Sequence, residues 1–165
     1  IPDACLKATG RMADRAVDGP IWVLGADHPR VALGLESAGG KRPIVRIDWT
    51  PPQRLPEAGE APALIVLPGL LEALPDRHAI RLLSGLRTAL RPGGRIVASA
   101  LVPSSDAAFV DLVLGWPTHR RKPAQLLDLF ILAGLAIVAD VPSPEPGLVV
   151  VAQDKSDAMS SSSEV

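Results

Sequence analysis

From Pro20 onward, short aliphatic runs alternate with longer stretches of helical period, the pattern of an α/β domain with a mainly parallel sheet. Ile21-Trp22-Val23-Leu24 is an unbroken apolar run that stops at Gly25, which predicts a buried first strand. Asp27 suits the N-cap of a helix to about Ala38, which Gly39 and Gly40 terminate. Pro43 to Asp48 predicts the second strand. Trp49 to Pro62 then carries Pro51, Pro52, Pro56, Pro62 and Gly59, a density of breakers that forbids a central strand or a helix longer than a turn. This stretch is expected to be a loop.

Ala63 to Leu67 reads as a buried strand, and Asp76 opens a helix with Ile80, Leu83, Leu86 and Leu90 on one stripe and Arg77, Arg81, Arg87 and Arg91 facing out. Pro92, Gly93 and Gly94 stop it. Arg95 to Leu101 predicts another strand, Ser104 or Ser105 a helix cap toward Leu114, and Pro123 the first turn of a helix ending at Gly134. The last strands, Ala136 to Val141 and Gly147 to Ala152, are joined by a connection too short for a parallel crossover and so form an antiparallel hairpin. Residues 1–153 are expected to form one domain with a helical lead-in over 1–19. Residues 154–165 have little to bury and are expected to be a disordered tail.

Composition narrows the partners. With 165 residues, 47% apolar and 21% charged, the chain suits a single globular core. Seventeen Lys and Arg against eighteen Asp and Glu give a formal charge of -1, so no global field draws it to nucleic acid or an anionic membrane. Five aromatic residues and no Tyr leave almost no stacking platform for bases. Cys5 is the only cysteine, which excludes an internal disulfide and fits the cytoplasm or another reducing compartment. The longest apolar run, Leu129 to Ala139, falls well short of the about 20 residues of a membrane span. Position 1 is Ile and no leader pattern follows, which leaves room for residues upstream.

His28, His78 and His119 lack the spacing and neighbours of a metal site and read as surface or capping residues. His119, Arg120, Arg121 and Lys122 form the one basic cluster. It reads as a solvated face, with contact to an acidic partner or anionic substrate as the alternative. No nucleophile elbow, phosphate loop or dinucleotide fingerprint occurs, which demotes hydrolase, nucleoside-triphosphatase and nicotinamide chemistry.

A parallel sheet closed by an antiparallel hairpin after a helix ending in Ala-Gly resembles the class I S-adenosylmethionine-dependent methyltransferases, most of all the small-molecule O-methyltransferases. Leu67 to Ser99, with its Leu-Arg-Pro-Gly-Gly turn, looks like that family's fourth strand, connecting helix and turn. Lys122 to Val138 resembles its penultimate helix and strand, and the likeness runs from about Ile21 to Gln153. The resemblance implies a Rossmann-like sheet, an S-adenosylmethionine site at Gly25, Asp27, Asp48 and Leu67, and a general base at Glu72, where several relatives carry a catalytic His. Asp48 would hold the ribose hydroxyls, although a strand-end Asp also forms turns; Glu72 ahead of a helix also suits the macrodipole.

The sequence departs from that family twice. After Gly25, Asp27 and Pro29 stand where further glycines are expected, adding bulk and fixing a backbone dihedral. Between the second strand and Ala63 there is no room for the family's usual helix, third strand and helix, which help to wall the adenine pocket. A six-strand sheet with strand two at its edge is expected, and that exposed edge invites a homo-oligomer or a larger protein assembly. Two readings follow: a degenerate, non-catalytic scaffold or ligand-binding subunit with no cofactor, or an active enzyme using S-adenosylmethionine on a small hydroxylated or carboxylated acceptor.

Overall fold

Strand β1 (Ile21–Leu24) runs parallel to β2 (Ile44–Ile47) on one side and β3 (Leu64–Pro68) on the other. Strand β4 (Arg95–Leu101) extends the parallel set beside β3. The hairpin of β5 (Leu135–Pro142) and β6 (Gly147–Asp154) closes the sheet antiparallel, giving the order β2-β1-β3-β4-β6-β5. This computed structural model describes residues 17–25, 33–36, 41–49, 55, 59–101, 103, 118–142 and 147–161. The expected helices at 104–114 and over 1–16 of the lead-in lie outside them. Of the expected helix from Asp27 to Ala38, residues 33–36 are described and are helical; residues 17–19 are not.

Strands β1 and β3 are apolar throughout because both faces are covered. One core layer packs Trp22, Leu24, Ile65, Leu67, Ile96 and Phe130 with the two helices described next. The other gathers Ile21, Val23, Val66 and Val97 with Leu35 of the helical turn at 33–36. Helix α1 (Asp76–Ala89) joins β3 to β4, and α2 (Pro123–Leu132) precedes β5. Pro123 supplies the preset dihedral of a first turn, and Gly134 at φ +83° ends the helix in a conformation that disfavours other residues.

The buried stripe of α1 is rotated from the expected one. Ala79, Leu82, Leu83 and Leu86 are buried, whereas Ile80 and Leu90 are half-buried. Ile80 turns toward α2 instead of the sheet, a tertiary contact that periodicity alone does not resolve. Arg87 and Arg91, expected to face out, are half-buried: the Arg91 guanidinium donates to the Asp18 carbonyl, and Arg87 packs where a Cβ on Gly134 would sit.

The expected disordered tail is also corrected. Residues Lys155–Ser161 form helix α3 against the β5–β6 hairpin. One local cap and one long-range contact hold it. Asp154 Oδ1 accepts from Ser156 N at 2.9 Å and from Ser156 Oγ at 2.8 Å, and Asp157 Oδ2 accepts from Gly93 N at 2.8 Å in the Pro-Gly-Gly turn. The Ser156 backbone hydrogen bond holds the Asp154 carboxyl below its ordinary pKa of 3.8, outweighing the burial that raises it, with smaller help from the Ser156 hydroxyl and the Arg87 charge. A depressed carboxyl pKa stabilises the fold above the unfolded value and loses that contribution as pH falls through the folded one. The protection of the Ser156 amide, its intrinsic exchange rate divided by the observed rate at the same pH, should therefore fall as pH drops below about 3.8 and lose that acid dependence in Asp154→Ala. Protection that does not change across that range in the parent would remove Asp154 as the cap.

Candidate functional site

In an open α/β sheet, ligands collect beyond the carboxyl ends of the strands. Four of the residues singled out by sequence lie at or below that edge. Leu24 pairs with Ile47, so Gly25 and Asp48 are the next positions on neighbouring strands. Asp48 is exposed and makes no hydrogen bond among the described residues, which leaves its carboxylate open to a ligand. Glu72 lies on a short 3-10 turn, Leu71–Ala73, that follows β3. Leu67 sits one layer lower, fully buried in the α1 and α2 core, where its side chain sets the strand but offers a ligand no surface. Asp27 lies outside the described residues, as do Pro29 and His28.

Gly25 has a structural cause within the fold. Its φ is +126°, and a Cβ there would stand 3.0 Å from the Pro68 carbonyl oxygen. Only glycine lets β1 turn away this close to the end of β3. Gly69 (φ +64°) has a comparable role on the adjacent strand: its N–H meets the Ser99 carbonyl at 3.2 Å and Ser99 Oγ at 3.3 Å, and a Cβ would press on Glu72 Oε1 at 3.1 Å.

Glu72 is buried, and its Oε2 accepts from Leu101 N at 3.3 Å, joining the turn after β3 to the end of β4. The turn is strapped from outside by residues 118–122. His119 N donates to the Glu72 carbonyl at 2.6 Å, Arg121 Nη1 to the Leu71 carbonyl at 2.7 Å, and Arg121 Nη2 to the Leu74 carbonyl. Arg121 Nε completes the set on Asp76 Oδ1 at 2.8 Å. Here the sequence reading is corrected: within the basic cluster, Arg121 is buried and faces no solvent, because three elements converge on its planar fork of donors. Nothing in an Arg-Arg-Lys run marks which cation turns inward. Ser99 and Gly69 likewise escape a reading of the sequence, Ser99 because one serine inside an aliphatic strand carries no positional signal.

Among the described residues, no group of three or more His, Cys, Asp or Glu could hold a metal ion, and no helix is long and apolar enough to cross a membrane. His78 is half-buried with Nδ1 unpaired, and His119 is exposed. A cleft of about 370 Å³ opens between α1 and α2, beside the strap and away from Gly25 and Asp48.

Comparison with solved structures identifies the fold. The chain superposes on CalO1, a methyltransferase of calicheamicin biosynthesis with S-adenosylhomocysteine bound, with a TM-score of 0.64 and 16% identity, covering 83% of this chain and 49% of that one. The mitomycin 7-O-methyltransferase MmcR gives 0.61 and 18%, covering 92% and 54%. NcsB1, an O-methyltransferase of neocarzinostatin biosynthesis with S-adenosylhomocysteine and 1,4-dihydroxy-2-naphthoic acid, gives 0.54 and 21%, covering 84% and 42%. The chain thus spans about half the length of these structures. No family model and no curated protein matches it. The fold is that of the class I S-adenosylmethionine-dependent O-methyltransferases, with β2 as the sheet edge.

Proposed function

We propose that this methyltransferase-fold domain is non-catalytic and serves as a scaffold or ligand-binding subunit. The connection from β2 to β3 carries the reading. Where the resemblance calls for a helix, a strand and a helix that wall the adenine, the stretch from Asp48 to Ala63 is too short to hold them, and Leu55 within it lies against α1, its Cδ1 3.2 Å from where a Gly85 Cβ would stand. Without those elements a nucleoside beside Asp48 would lose part of the wall that small-molecule sites need. The two other family marks have work in the fold itself: Gly25 clears the Pro68 carbonyl, and the Glu72 carboxylate holds the Leu101 amide.

Calorimetric titration of the full chain with S-adenosylmethionine and S-adenosylhomocysteine tests this directly. No heat is expected up to about millimolar ligand, an affinity no tighter than about -4 kcal/mol. Micromolar binding, weakened about tenfold or more by Asp48→Ala, would return the site to the nucleoside.

The assembly surface in this reading is the β2 edge. Ile21 N donates to the Pro43 carbonyl at 2.8 Å, and the parallel ladder then alternates, so Val45 and Ile47 bond to β1 while the main chain of Ile44 and Arg46 points outward. Arg46→Pro should remove an outward donor, leave the β1 ladder intact, and abolish self-association through that edge in light scattering. An oligomer that survives Arg46→Pro would place the contact elsewhere.

A second reading is favoured by the shared placement of Gly25, Asp48 and Glu72 on the carboxyl side of the sheet. It is an O-methyltransferase on a small molecule, with Glu72 taking the acceptor hydroxyl proton as the hydroxyl oxygen displaces the sulfonium and gains its methyl group. In that case S-adenosylmethionine is the methyl donor and Glu72→Gln abolishes turnover while leaving ligand binding in place.

A further inference from the structure

We infer that two copies of this chain pair at the β2 edge in one register, antiparallel with Val45 on the two-fold axis, a pairing that rests on the β2 assembly surface proposed above. The sheet has two edge strands, and they differ. The β5 strand carries a bulge between Ile137 and Ala139, a device that blunts an edge, whereas β2 follows β1 without a shift. Pro43 does not protect β2 either. Its carbonyl accepts from Ile21 N, so its missing N–H falls on the β1 side and the outward row of Ile44 and Arg46 keeps its donors. Ile44 and Val45 are only half-buried and lie on opposite faces of the sheet, so each face has apolar surface left for a neighbour.

Charge chooses among the ways two such edges can meet. In a two-fold parallel pairing each residue stands level with its own copy, which sets Arg46 beside Arg46. In an antiparallel pairing only outward residues exchange hydrogen bonds, so the axis can fall on Ile44, Val45 or Arg46. An axis on Arg46 again opposes two like cations, and an axis on Ile44 sets Arg46 across from Arg42 of the partner subunit. The axis on Val45 avoids both. Ile44 then lies across from Arg46 of the partner subunit, and about four main-chain hydrogen bonds close the ladder. Val45 meets its own copy as a close, non-hydrogen-bonded pair on one face. On the other face the Arg46 stem covers Ile44 of the partner subunit, while Glu36 keeps its own copy's Arg46 guanidinium paired at 2.8 Å. The ends of the ladder agree in sign, Lys41 and Arg42 of one copy lying toward Asp48 of the other, although water screens that contact to a small share. Arg42 stays bonded to the Val17 carbonyl at 2.8 Å throughout.

Single cysteines read the register. In a Cys5→Ser chain, Val45→Cys should oxidise to a covalent dimer at least about tenfold faster than Ile44→Cys or Arg46→Cys. Only the residue on the axis meets itself, at a Cα separation of about 4.5 Å that a disulfide spans, and its neighbours stand too far from their own copies. Light scattering of the parent over a concentration series should show a dimer that dissociates on dilution, because a short edge buries little area. In that unmutated chain, a mixture of isotope-labelled and unlabelled copies should give a nuclear Overhauser contact between Val45 methyl groups of the two subunits. Fastest oxidation of Ile44→Cys or Arg46→Cys, or a dimer without the Val45 contact, would overturn the register. A dimer that none of the three cysteines cross-links would remove β2 as the surface as well, and so would a chain that stays monomeric up to about millimolar concentration. None of these readouts depends on whether S-adenosylmethionine binds, so the register and the question of catalysis stand or fall apart.

Discussion

Replacing Arg121 with Met should lower the melting temperature by about 6 °C. The substitution keeps most of the aliphatic stem but strands the Leu74 carbonyl and takes one of two donors from the Leu71 carbonyl, which keeps Leu74 N at 3.3 Å, at a site where Arg121 is only 6% exposed. Leaving one such acceptor unpaired costs about 2 kcal/mol. In a chain of this size each kcal/mol moves Tm by about 2–4 °C. The ion pair with Asp76 contributes little of this, because the Asp76 side chain is 72% exposed and water screens it. Asp76→Asn should therefore change stability by less than about 1 kcal/mol. Thermal melts of the pair decide the matter: equal losses would mean that the salt bridge holds the strap, and no loss in Arg121→Met would mean that the strap does not hold the Glu72 turn. Arg121→Lys should recover only a fraction of the deficit, since a single ammonium cannot reach three acceptors in one plane.

Phe130→Ala should cost about 4 kcal/mol, the larger of the two effects. Phe130 is fully buried and is the bulkiest side chain that α2 sets against the sheet. Its removal deletes the transfer free energy of the ring and leaves a cavity that Leu126 and Leu129 on the same helix cannot fill without leaving their own places. Two positions on, Leu132→Ala should be within about 0.5 kcal/mol of the parent, because that side chain is largely in water. Denaturant midpoints of both variants check the contrast. A large loss at Leu132 would mean that the side chain packs within the chain.

Much of the fold is legible in the sequence because the strands are buried on both faces and so appear as continuous aliphatic runs. Ile21–Leu24 and Arg95–Leu101 have the expected bounds, and the short Pro142 to Gly147 connection forces the hairpin. The edge position of β2 is legible too, because the prolines after Trp49 leave nothing to pair with it. The rotation of α1 is not legible: Ile80 and Leu83 are equally apolar, and only the position of α2 decides which faces the sheet. Nor is α3, whose seven residues read as polar tail and are held by the carboxylates of Asp154 and Asp157 to groups near and far in sequence. At the site, the place of Asp48 just beyond β2 follows from where the apolar run ends, but the burial of Arg121 depends on carbonyls some fifty residues away, which no local pattern encodes.

The tight passing of Gly25 and the Pro68 carbonyl bears on how such domains age. A descendant that abandons its nucleoside still needs this glycine to bring two strand ends together, so selection for folding preserves a residue first noticed for binding. The residue drift would erase first is the solvent-facing Asp48, which does nothing for the sheet. Among kindred chains, the acid at that position and not the glycine should tell the working ones from the retired.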